Sequence, residues 1–190
     1  MISKALSFLT GFLNRELRMT YGLDSDLVVA RNLTKMDGRV ADNVNNKIVL
    51  SVINIEQETA VKSGFPTKAE GSSRNKVNPP LHLNIYLLVS ANFASNEYLE
   101  ALRMLSAVIE TFQASSYFTK QSHPEMSDPL EKLTLEIYNV PVNELSHIWS
   151  GIGAKYVPST LYKMRMITLT DTKIRNEIPG VTGVEGETKS

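Results

Sequence analysis

The sequence predicts an α+β domain: a single mixed β-sheet of about five strands with two long helices packed on one face. Three observations support this. Leu81, Leu83, Ile85, Leu87 and Val89 alternate with His82, Asn84, Tyr86, Leu88 and Ser90, the period-two pattern of a long strand with one face in the core. Two other stretches repeat their apolar residues at helical spacing. The first of these precedes the strand-like segments and the second falls between adjacent strands, with no internal repeat.

Residues 2 to 19 place Ile2, Ala5, Leu6, Leu9, Phe12, Leu13 and Leu17 on one stripe, with Lys4, Asn14, Arg15 and Arg18 largely off it. This is an amphipathic helix, and Gly22 is positioned to cap its C-terminus. Leu27 to Arg31 reads as a short strand, and a polar segment with the turn signal Asp37-Gly38 follows. In KIVLSVINIEQET, Ile48, Leu50 and Val52 share one face while Val49, Ile53 and Ile55 share the other. A strand buried on both sides near its middle is expected there. Residues 60–78 are rich in Gly, Ser, Lys and Pro and read as an exposed, flexible loop.

After the long strand, Ser95 or Asn96 opens a second helix, with Glu97 and Glu100 in its first turn. Its apolar face runs through Tyr98, Ala101, Leu102, Leu105, Val108, Ile109 and Phe112. A Pro-bearing loop leads to an alternating strand through Leu133, Leu135 and Ile137. A short helix from Val142 to Ser150 stops at Gly151 or Gly153, and STLYKMRMITLTD forms the last strand. Residues 1–173 are thus expected to form one domain, and 174–190 a mobile tail.

Composition narrows the function. Twenty basic and twenty acidic residues give no net charge, which argues against broad electrostatic binding of nucleic acid or anionic membrane and suits a chain that works in an assembly. The absence of cysteine removes disulfides, thiolate catalysis and cysteine-based zinc sites. The run at 79–93 is too short and too polar for a membrane span. No cleavage-site pattern follows a dense apolar N-terminal region, so synthesis in the cytosol is expected.

Chemistry-bearing motifs are scarce. His82, His123 and His147 lack metal-ligand spacing, and no P-loop, GxGxxG, GxSxG, HExxH or EF-hand pattern occurs. Gly151-x-Gly153 reads as a helix stop, and Lys68 to Lys76 as a solvated loop without stacking platforms. Glu56 and Glu58 share a face at a strand end but lack further oxygen ligands for a cation. No catalytic, cofactor-binding or metal-binding residue is therefore expected. Trp149 and Tyr156 flank the glycine turn, where they either staple the short helix to the sheet or present a rigid contact surface. Together with Tyr162 and Arg165 of the last strand they are the candidate interface residues. The competing reading is an enzyme whose site is assembled from distant residues, such as His82 and Glu136.

Four stretches together are similar to one family: IxxALSFLxxxLN at the N-terminus, NPPLHLNIYLLVSANF, YLEALRMLSAVIETFQ, and LEIYNVPVNELSHIWSGIGAKYVPSTLYKMRM. The last is the most specific, with Leu145, Trp149, Gly153, Tyr156, Pro158, Ser159, Tyr162 and Lys163 in order. The chain resembles the Pvc16-type tail-terminator, or cap, proteins of bacterial contractile injection systems, the phage-tail-like particles of the antifeeding prophage and Photorhabdus virulence cassette type. The resemblance implies a phage tail-terminator-like fold and a structural role without enzyme activity or cofactor. It implies a hexameric ring of this chain that ends the inner tube and the sheath and couples them. Its partners would be itself and the tube and sheath proteins, with no nucleic acid and no membrane segment. Assembly would occur in the cytoplasm, followed by incorporation into a particle that can be released. An adaptor or anchoring protein of such a particle is the alternative within this class.

Overall fold

Strand β5, Leu81–Asn92, occupies the middle of the sheet, as its apolar alternation requires. In this computed structural model, residues 1–58, 67–70, 73–76, 81–168 and 176–178 are described. The elements run α1 (Ile2–Tyr21), β1 (Val28–Ala30), β2 (Lys47–Gln57), β3 (Thr67–Glu70), β4 (Ser73–Lys76), β5, α2 (Tyr98–Ala114), β6 (Tyr117–Thr119), β7 (Leu130–Ile137), α3 (Val142–Ile152), β8 (Ser159–Thr168) and β9 (Asn176–Ile178). The main sheet has six strands in the order β1-β2-β5-β8-β7-β6. Only β1 and β2 run parallel, so the sheet is mixed.

Two details of the expected topology are corrected. A sixth strand, β6, follows α2 directly, and its three residues are too few to show a period. The strands that flank α2, β5 and β6, are not neighbours, because β8 and β7 lie between them. Inside the stretch read as a loop, β3 and β4 pair antiparallel, and β4 pairs with β9 from the stretch read as a tail. The rest of both stretches lies outside the described residues.

The sheet is covered on both faces. On one, α1 and α2 bury Leu9, Leu13, Leu17, Met104, Val108 and Phe112 against Leu50, Ile85, Leu87, Val89, Leu133, Met164 and Met166. Side chains of opposite parity, Val49, Leu88 and Leu161, meet Trp149 of α3, Leu33 and Val44 on the other. Successive strand residues point to opposite faces, so a strand whose two parities are both apolar needs this second cover. Both α1 and α3 end on a left-handed glycine, Gly22 (φ 64°) and Gly153 (φ 71°), where the absent Cβ removes the steric cost.

A β-bulge at Ile53 shapes the second face. Val52 pairs with Leu87 and Asn54 with Tyr86, leaving Ile53 as the extra residue. Beyond it the parity reverses. Ile55, expected beside Val49 and Ile53, instead lies opposite Ile85 on the α1–α2 face, while Asn54 and Glu56 move to the α3 face. The expected position of Asn14 is also corrected: it is buried at the α1–β1 contact, not off the packed stripe, and its amide bonds the backbone of Leu27 and Val28.

Candidate functional site

The short helix α3 and the turn after it bring Trp149 and Tyr156 together. Their rings meet edge to face at 5.5 Å, inside the range where aromatic pairs attract beyond their buried area. Trp149 is 5% exposed and packs in the α3-side core, whereas Tyr156 is 64% exposed. Tyr156 lines a crevice with Val40, Tyr98 and the Gly153–Pro158 turn, and Val40 and Tyr98 are also more than half exposed. This crevice lies beside the glycine turn predicted from the sequence, and its partly exposed apolar and aromatic side chains suit protein contact.

The other two candidates lie elsewhere. Tyr162 and Arg165 are three residues apart on β8 and so point to opposite faces. Tyr162 is 3% exposed and packs against Phe112 at 5.1 Å on the α1–α2 side. Its hydroxyl has no hydrogen-bond partner among the described residues, and burial pushes its pKa up to about 12. Arg165 is half-exposed on the α3 face, where it donates to Glu136 at 2.8 Å.

The half of the α3 face that the helix leaves open carries a polar network that the linear sequence did not reveal. Tyr86 Oη donates to Glu56 Oε2 (3.1 Å), and Asn54 Nδ2 donates to Glu56 Oε1 (2.9 Å). Asn84 Nδ2 donates to Glu58 Oε2 (3.0 Å). Tyr86 and Tyr138 meet edge to face at 4.9 Å. Desolvation, then the Glu56 carboxylate, raises the Tyr86 phenol above its ordinary range. Sequence reasoning paired Glu56 with Glu58, but only the bulge at Ile53 brings Glu56 across to Tyr86, and one sequence gives no signal for a bulge.

The arrangement does not assemble a reactive centre around the histidines. His82 pairs with Ile167, and Ile167 with Lys132, whereas Glu136 pairs with Lys163. That is a separation of four residues along the strands, about 13 Å, before the distance across two strands is added. His123 packs its ring against Phe8, Phe12 and Phe118 at 5.0–5.8 Å and shares a hydrogen bond with Ser122. His147 is exposed on α3. Among the described residues no group of three or more His, Asp or Glu is placed to hold a metal ion, and no helix is long and apolar enough to cross a membrane.

The described residues thus form an α+β sheet covered on both faces, with an apolar crevice beside Tyr156, and comparison with solved structures gives this architecture its fold. The PVC sheath/tube terminator of an extracellular contractile injection system, in its extended state, superposes with a TM-score of 0.68 at 13% identity, over 100% of this chain and 64% of that one. The tube-terminating cap of the anti-feeding prophage superposes with a TM-score of 0.56 at 12% identity, over 97% of this chain and 61% of that one. The fold is thus the α+β fold of contractile-system terminators, and the chain spans less than two thirds of the length of either. The family profile of the Pvc16 N-terminal domain matches residues 6–183, and the chain belongs to that family. No curated protein matches it.

Proposed function

We propose that this chain is a structural cap of a phage-tail-like contractile injection system, forming a hexameric ring that ends the inner tube and sheath and ties one to the other. The observation that carries this reading is the family match over residues 6–183, reinforced by the shared fold of two terminator structures. The ring acts without catalysis or cofactor. It assembles in the cytoplasm and leaves with the particle when that is released. Residues 1–173 act as one cap domain, to which β9 of the following stretch adds a strand through β4.

The physical task of a cap is to cover the exposed edges and apolar patches at a polymer end while offering no repeat of that surface outward. A sheet covered by helices on both faces is stiff enough to serve as the tile. A closed ring is heterologous, so each subunit supplies two different patches. The crevice at Tyr156, backed by Trp149, is assigned to one patch, and the polar surface around Arg165 to the second. Tyr162 contributes by fixing β8 against α2.

Sedimentation velocity tests the reading. The chain mixed with the tube and sheath proteins of its own particle is expected to co-sediment with them and to form a ring-sized species. A monodisperse monomer both alone and in that mixture would contradict it.

A further inference from the structure

We propose that the groove between α3 and the open half of the sheet docks a polypeptide segment of a partner protein, one that presents an arginine or lysine side chain flanked by apolar residues. The groove encloses about 740 Å³. Its apolar lining comes from Val52, Ile53, Val140, Ile148 and Ile152, and its aromatic wall from Tyr86 and Tyr138. Among the described residues that line it, Glu56 and Glu144 are the acidic ones, His147 lies beside them on α3, and no lysine or arginine is present. A segment with an apolar body and one cationic side chain complements that surface in both respects.

The geometry is more specific than a patch of acidic residues. Both oxygens of Glu56 are held, one by Tyr86 Oη and one by Asn54 Nδ2, so the carboxylate keeps a fixed direction. The Tyr86 and Tyr138 rings stand at 68° to each other, making a corner of two π-faces beside that carboxylate. A cation in such a corner gains from the rings and the carboxylate together, and a guanidinium also matches the carboxylate fork. Glu144, at the start of α3, is exposed and has no partner among the described residues, so it is free to meet a second donor. At Gly151 a Cβ would meet nothing within 4 Å, so the helix wall leaves room for an approaching main chain.

Other occupants fit less well. Two carboxylates repel a phosphate or nucleic-acid backbone, and no group of three metal-ligating residues is present among the described residues. From Glu144 to Ile152 the helix extends about 12 Å, the span of three to four residues of extended chain. That length suits a short peptide motif. The inference is independent of the capping reading, because the groove can bind its segment whether or not the chain ends a tube.

The test is a fluorescence-anisotropy titration of the full chain with two labelled pentapeptides, Gly-Val-Arg-Leu-Gly and Gly-Val-Glu-Leu-Gly. The arginine peptide is expected to bind saturably, at least about tenfold more tightly than the glutamate peptide, and to weaken as salt is raised. E56Q and E144Q are each expected to weaken it about three- to tenfold. E100Q, at a surface pair with Arg103 that does not line the groove, is expected to leave it unchanged. E144Q removes no hydrogen bond or ion pair among the described residues, so it decides the matter even if E56Q is unstable. Absence of saturable binding, equal binding of both peptides, or unchanged binding in E144Q would overturn the proposal.

Discussion

Asn14 of α1 takes the place of a neighbouring strand for Val28 of β1. Its Oδ1 accepts from the backbone N–H of Val28 at 2.8 Å and of Leu27 at 2.9 Å, while its Nδ2 donates to the Val28 carbonyl at 2.9 Å. A single side chain thereby satisfies the backbone of Val28 at the start of the sheet's edge strand, where open backbone groups would otherwise recruit another chain. It also ties α1 to the sheet, linking a helix-borne side chain to strand geometry. Replacing Asn14 with alanine leaves buried backbone groups unpaired. N14A is therefore expected to lose about 2–4 kcal/mol of stability, measured by urea unfolding. A loss below about 0.5 kcal/mol would mean that the edge is satisfied in another way.

Trp149 and Tyr156 touch, yet their burial assigns them different tasks. W149A empties a core position and is expected to cost about 3–5 kcal/mol. Because the Trp149 indole N–H has no partner among the described residues, W149F keeps the packing and loses no bond; a cost of about 1–2 kcal/mol is expected. Y156A changes a mostly exposed ring and is expected to stay within about 1 kcal/mol of the parent. Thermal and urea unfolding of the three variants check this order. A Y156A loss as large as that of W149A would make Tyr156 a structural staple.

Tyr162 gives a pH signature. Burial raises its folded-state pKa from the ordinary 10.0 to about 12, so between those values the folded chain holds a proton that the unfolded chain releases. Stability from this group is therefore fully present below pH 10 and is lost as pH rises towards 12. Y162F removes the ionisable hydroxyl without breaking a bond. It is expected to be as stable as the parent at neutral pH and to lose less stability over that alkaline range. Parallel stability profiles for the two proteins would show that the hydroxyl reaches solvent.

Gly153 ends α3 in the left-handed region at φ 71°. A Cβ there meets no neighbour, so the penalty of G153A is conformational alone, about 1 kcal/mol. Gly151 in the same turn has no positive φ, and G151A is expected to be neutral or slightly stabilising, since alanine favours helix. Unfolding midpoints of the two variants are expected to move in opposite directions or by clearly different amounts. A loss in G151A as large as that in G153A would contradict the cap assignment.

The elements that could be read from the sequence are those whose period is long enough to count. The stripe of α1 and the alternation of β5 each span several repeats, the glycine stop of α3 is a strong local signal, and the structure has all three where the sequence places them. β6 gives no readable pattern because its three residues, Tyr117–Thr119, span only one and a half repeats of the strand period. The return of β8 between β5 and β7 depends on which edges meet, and side-chain spacing along one strand carries no record of that. Glu56 and Tyr86 lie 30 positions apart and face each other only because Ile53 bulges out. Asn14 misled for a related reason: a polar residue on a helix looks solvent-facing until the backbone it bonds is known.

The central claim is that this chain terminates a polymer, and the most direct measurement is the length distribution of particles imaged by electron microscopy from cells that lack the chain and from cells in which it is restored. The account predicts particles of abnormal length or with unstable ends in its absence, and a return to uniform, intact particles on restoration. Particles of normal length and integrity without the chain would contradict it.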